Sequence, residues 1–252
     1  MKNEIKKFLS SKQFHIIVVI LIIIAIIFVA GFISLRYNVE GEGNPPFYLS
    51  KISSISSVEG TDNEDSQNKW NLTVNQNNDI YLYVEKNNSY KYTETITNIF
   101  LNNFNIIQNP KVGQLKLLKP DINTTNTIFK NVKEDEVESI EYTGDMNSDI
   151  KNMKISNQGG LVVFRYSIEN IGNYISNDDE QVNHNELLKE LSVNNDDLKF
   201  NVSFDITINL NSGKSYKSTV NLNLPIGDVV NGGIQSQENT DLQDIVFKRV
   251  TN

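Results

Sequence analysis

The sequence predicts a mainly β protein: an N-terminal transmembrane helix, then an antiparallel β-sandwich-like extracytoplasmic domain with one short helix. Three observations carry this expectation. An uncharged apolar run fills Ile16 to Ile33. From Phe47 onward, apolar and polar residues alternate with period two. The alternating stretches are short and bounded by Asn, Gly, Ser and Asp. Period two puts successive side chains on opposite faces of a half-buried strand, and many such strands with polar turns build packed sheets.

The chain divides into a tail (1–13), a transmembrane helix (14–35), a stalk (36–46) and a β domain (47–252), with a weaker subdivision near 130–138. At ~1.5 Å per residue the uncharged core of the helix spans about 27 Å, close to the thickness of a hydrocarbon layer. Its many β-branched residues matter little there, because a helix satisfies its own backbone hydrogen bonds. Lys2, Lys6, Lys7 and Lys12 precede the span and Arg36 alone follows closely. The positive-inside rule therefore places the N-terminus in the cytoplasm and the β domain outside. Tyr37 suits the outer interface. A cleaved signal peptide is the competing reading, but Val29-Ala30-Gly31 is a poor cleavage site and the apolar run is long for one. Ala25 and Gly31 stand six apart, not at the spacing that brings two helices close. His15 reads as an interfacial residue.

Composition excludes several functions. The chain has no cysteine, so disulfides, thiolate metal sites and a cysteine nucleophile are all absent. Abundant Asn, Ile and Lys, with AT-rich codons, point to the envelope of a low-GC bacterium. The net charge is -8, and the four lysines of the first thirteen residues face only Glu4, so the rest carries about -11. A domain this acidic repels phosphate backbones, and no nucleic-acid partner is expected.

Glu40 to Pro46 forms the stalk, loosened by glycine and stiffened by the paired prolines. Strands are expected near 47–58, across Trp70–Val74 and Ile80–Val84, and near 92–107, 112–118, 137–143 and 150–156. Leu161 to Ile168 is apolar enough to be a central strand buried on both faces. A helix near 180–191 would bury Leu187, Leu188 and Leu191. The clearest unit is a hairpin. Phe200 to Leu210 puts every even-numbered residue on one apolar face, Asn211-Ser212-Gly213-Lys214 turns, and Tyr216 to Leu224 returns. Ile226 to Gln243 reads as a mobile loop, and Ile245-Val246-Phe247 as a final strand.

No motif assembles a catalytic site. Gly213-Lys214-Ser215 imitates a phosphate-binding loop but sits in a hairpin turn. Acidic runs at Asp62–Asp65, Glu134–Glu136 and Asp178–Glu180 lack the spaced oxygens of a calcium loop. His184, the only histidine beyond the apolar segment, reads as a surface residue. No cofactor, metal or catalytic residue is assigned, and the chain is not expected to be an enzyme. The aromatic residues are more suggestive. Tyr81, Tyr83, Tyr90 and Tyr92 concentrate on two expected neighbouring strands, and an aromatic sheet face can bind a protein or a glycan. The expected function is a single-pass envelope protein, held in the lipid bilayer by 14–35, whose β domain binds a protein or cell-wall partner. The alternatives are an accessory subunit of a membrane-bound assembly and a carboxylate-based wall hydrolase.

Overall fold

The computed structural model describes residues 11–35, 43–63, 69–120, 129–131, 139–150, 152–176 and 181–250. They fall into two compact units, Met1–Pro45 and Pro46–Asn252.

The first unit is helix α1 (Lys12–Ser34), 23 residues long. The Ser11 hydroxyl caps it, accepting from the Phe14 N–H at 3.1 Å. No residue of α1 is buried. It is the one described helix long and apolar enough to cross a membrane. Its surface is apolar on all sides. Among its small residues, Ala30 and Ser34 do stand four apart.

The second unit is built from two six-stranded sheets. The first runs β11 (Gln235–Asn239), β1 (Phe47–Asp62), β2 (Asn71–Lys86), β8 (Gly159–Ile175), β4 (Gln114–Pro120) and β5 (Phe129–Asn131). The second runs β12 (Lys248–Val250), β10 (Ser215–Leu224), β9 (Phe200–Leu210), β3 (Ile96–Gln108), β6 (Ser139–Thr143) and β7 (Met153–Lys154). Neighbours are antiparallel, except β6 and β7, which are parallel. The sheets share one apolar core. Phe164 of β8 meets Phe204 of β9 edge-on at 5.1 Å, and Phe104 of β3 stacks on Phe204 at 5.7 Å. Such ring pairs contribute beyond their buried area.

Tyr142 of β6 ties the sheets together by a polar contact. Its hydroxyl donates to the Val163 carbonyl at 2.8 Å and accepts from the Val163 N–H at 3.1 Å. Pairing of β4 with β8 stops at Arg165, so Val163 lies just past the end of its neighbour. The phenol takes the place of the missing strand and satisfies both backbone groups. Burial pushes its pKa up to about 12.

The alternating stretches Trp70–Val74 and Ile80–Val84 belong to a single strand, β2. The polar run between them does not break it, because the alternation continues unshifted and keeps Gln76 and Asn78 on the inward face with Val74 and Ile80; the register shift beside Val74 and Gln76 is taken up by extra residues of β8. Gln76 and Asn78 are both fully buried and hydrogen-bonded. Ser56 donates to Asn78 Oδ1 at 2.7 Å, and Gln76 and Asn78 exchange side-chain hydrogen bonds at 3.0 and 2.7 Å. Ser56 in turn accepts from the Ile226 N–H at 3.0 Å.

Four further expectations are corrected. Residues 226–243 are not a loop throughout; they hold a short helix, α4 (Val229–Gly232), and edge strand β11, which pairs with β1. Val229 and Val230 are buried, so two apolar residues anchor a stretch whose composition reads as polar. The final strand starts at Lys248, because Phe247 turns inward and packs in the core. β8 is central, lying between β2 and β4, but its outer face is only half-buried and Leu161 is exposed. The helix expected near 180–191 is a 3₁₀ turn (His184–Glu186) leading into α2 (Leu187–Glu190); Leu187 and Leu188 are buried. A second single turn, α3 (Asn195–Leu198), precedes β9. Residues 132–138, where a subdivision is expected, lie outside the described residues.

The β9–β10 hairpin forms with the expected register. Its outer face carries one buried acid, Asp205, which accepts from Asn103 at 2.7 Å, Thr219 at 2.6 Å and Lys217 at 2.9 Å. Burial pushes its pKa up, but these hydrogen bonds outweigh burial and hold it below the usual carboxylate value. Its contribution is present above the unfolded pKa and lost as pH falls through the lower, folded one. Asp205→Ala is expected to cost about 1–2 kcal/mol at pH 7 and to flatten the acid limb of the stability curve, as read by urea denaturation at several pH values.

Candidate functional site

The first sheet presents a patterned outer face. Directly paired residues share a face, so Lys51, Tyr83 and Leu161 form one row and Ser53, Tyr81 and Val163 the next. Ile55, Asp79, Arg165 and Leu118 form a third. A bulge between Leu49 and Lys51 sets the first row. The extra residue, Ser50, donates to Glu85 at 2.8 Å, and Lys51 is aimed across the face. Its ammonium lies 4.2 Å from the centroid of the Tyr83 ring and 2.7 Å from Glu238 of β11. The hydrogen bond to Glu238 raises its pKa. Tyr83 is thus pinned by a cation over its ring.

The third row is closed. Arg165 grips Asp79 through two nitrogens, Nη2 at 3.0 Å, and lies 4.3 Å from the centroid of the Phe129 ring. Leu118 and Phe129 are buried on this outer side, apart from the core between the sheets. Tyr81, between the closed and open rows, is half-buried; burial and then the Asp79 charge raise its pKa.

Beside the first row lies a shallow depression of about 530 Å³, lined among others by Tyr83, Lys86, Gln158, Gly159 and Leu161. Lys86 and Gln158 are bonded at 2.8 Å. Gly159 has φ +113°, and a Cβ there would stand 2.6 Å from the Val84 carbonyl, so the tight approach of β8 to β2 requires glycine. The surface offers an aromatic ring, an ammonium, an amide and exposed backbone in fixed positions.

The four tyrosines are two pairs, not one face. Tyr81 and Tyr83 lie on β2, whereas Tyr90 and Tyr92 lie on the connection from β2 to β3. Those two rings meet edge-on at 5.9 Å. Lys214 of the β9–β10 turn is 3.4 Å from both the Tyr90 hydroxyl and Glu94 Oε1. This accounts for Gly213-Lys214-Ser215: the lysine clamps a loop. Glu94 is buried, and its Oε2 has no hydrogen-bond partner. Nothing in Thr93-Glu94-Thr95 distinguishes that acid from an exposed one.

His184 is exposed and accepts from the Gly60 N–H at 3.1 Å, which fixes the end of β1. The acidic runs Glu134–Glu136 and Asp178–Glu180, and Glu64 and Asp65, lie outside the described residues. Among the described residues no three His, Asp or Glu converge on a metal-binding arrangement. Compared with protein-family models, curated proteins and solved structures, the chain matches none of them.

Proposed function

We propose that this is a single-pass membrane-anchored envelope protein that displays a non-enzymatic β-sandwich binding domain outside the cytoplasm. The depression beside Tyr83 is its binding surface for a protein or cell-wall partner. One observation carries the binding reading: Leu161 is exposed and Tyr83 half-buried at a depression of the outer sheet face, while the adjoining Asp79–Arg165–Phe129 row is sealed. The apolar, unburied α1 carries the anchoring reading, and the lysines before it carry the orientation.

Binding to isolated wall material and to envelope proteins tests the surface. Tyr83→Ala with Leu161→Ala is expected to weaken retention about tenfold or more while leaving the melting temperature within a few degrees. Equal retention by both proteins rejects the surface. Orientation is tested separately. The cysteine-free chain lets one introduced thiol report alone: Asn88→Cys should react with an impermeant maleimide on intact cells, and Lys7→Cys should not. An accessory subunit of a membrane-bound assembly would use the same display; co-purification of one partner at fixed stoichiometry separates that reading from a wall ligand.

A further inference from the structure

The chain joins the β domain at Pro46–Phe47, and two loops close that same end. The Pro46 carbonyl accepts from the Asn87 N–H at 2.8 Å, which places loop 87–95 beside the junction. Ile96, which follows that loop, donates to the Asn157 carbonyl at 2.9 Å, and Gly144 donates to the Thr97 carbonyl at 2.7 Å, which places residues 144–150 there too. These loops expose large apolar and aromatic side chains. Ile150 is 85% exposed, more than any apolar residue of α1, and Met146 is 63% exposed. Tyr92 is exposed as well, with Lys91 5.9 Å from its ring centroid. The second loop is braced from within: Lys154 Nζ donates to the Met146 and Ser148 carbonyls at 3.0 and 3.2 Å.

We infer that this end of the β domain rests on the bilayer surface, inserting Ile150 and Met146 at the headgroup boundary with Tyr92 and Lys91 at the interface. The inference rests on the proposed anchoring by α1. Tyrosine and lysine are residues of the membrane interface, and an exposed isoleucine on a loop tip gains most by leaving water. The intervening chain from Leu35 to Pro46 can extend at most about 40 Å, so the junction end never moves far from the lipid. At that effective concentration, weak single contacts suffice. The opposite end also exposes Trp70 and Ile175, but no chain from α1 joins it.

The test uses the full chain reconstituted in phosphatidylcholine vesicles, with a single labelled cysteine and lipids carrying a quencher at shallow or deep positions. Labels at Asn88→Cys and Asn147→Cys lie on the two loops without replacing any residue placed at the lipid. Both should lose emission to the shallow quencher, and a label at Asn173→Cys, at the far end, should not. Adding Met146→Ser and Ile150→Ser to the Asn147→Cys chain should abolish its quenching. A label at Ile23→Cys reports the anchor itself through the deep quencher. If Ile23→Cys is quenched and the loop labels are not, the inference falls and the anchor stands. Loop quenching that survives the serine substitutions also overturns it, since the tether alone would then explain proximity. An unquenched Ile23→Cys defeats both readings.

Discussion

Asn78→Leu is expected to destabilise the β domain by about 3–5 kcal/mol, measured by urea denaturation of the full chain in detergent. Leucine has the same branched heavy-atom skeleton and is bulkier, so no cavity forms. The loss arises from the partners left behind. Ser56 loses its acceptor, and Gln76 loses both the amide it donates to and the one it accepts from, all at positions sealed from water. Asn78 also donates to the Tyr166 carbonyl at 3.4 Å. Each orphaned buried group costs about 1–3 kcal/mol. Adding Ser56→Ala should cost less on the Asn78→Leu background than alone, because its acceptor is already gone. Strict additivity of the two changes would show that the network does not act as a unit.

Alkaline pH is expected to unfold the β domain over a defined window. Tyr142, Tyr166 and Tyr216 are all buried, and burial raises the pKa of each. In the unfolded chain a tyrosine titrates near ~10. The unfolded state therefore releases protons first, and stability falls as pH rises above about 10, each tyrosine contributing about 1.4 kcal/mol per pH unit. For Tyr142 the loss is complete as pH passes its folded value of about 12. Tyr142→Phe separates the hydroxyl's two roles. At pH 7 it should cost about 1–3 kcal/mol, because the Val163 N–H and carbonyl lose the phenol that bridges to them from the other sheet. Above pH 10 its stability should fall less steeply than that of the parent. Parallel curves would mean that Tyr142 does not contribute to the alkaline transition.

Strict alternation made most of this fold legible. From Phe200 to Leu224 it gave strands, register and turn correctly, because one face is apolar and the turn residues are decisive. It misled where side-chain polarity and burial part company. Gln76 and Asn78 are polar, yet the alternation of β2 carries them inward and a ring of partners holds them in the core. The segment 226–243 reads as loop because its apolar residues are scattered, and the buried pair Val229 and Val230 acts by packing rather than by pattern. The candidate surface was half legible. Tyr81 and Tyr83 are read correctly as neighbours opposite Ile80, Leu82 and Val84. Nothing local reveals Lys51 over the Tyr83 ring, since a bulge some thirty residues away in sequence sets that contact. Tyr90 and Tyr92 were drawn to a strand by their aromatic content, but they stand on a loop held by Lys214.

The long ladder between β1 and β2 also determines how the domain bears load. β1 begins at the junction with the N-terminal unit and is paired with β2 from Phe47 to Asp62, with one slip. Antiparallel ladder bonds lie across the strands. A pull on Pro46 along the axis of β1 therefore strains the whole row together in shear, instead of opening it bond by bond like a zipper. β11 adds a second row on the other side at Ile52–Ser56. The first strand can thus transmit tension applied at Pro46 into the centre of the sheet.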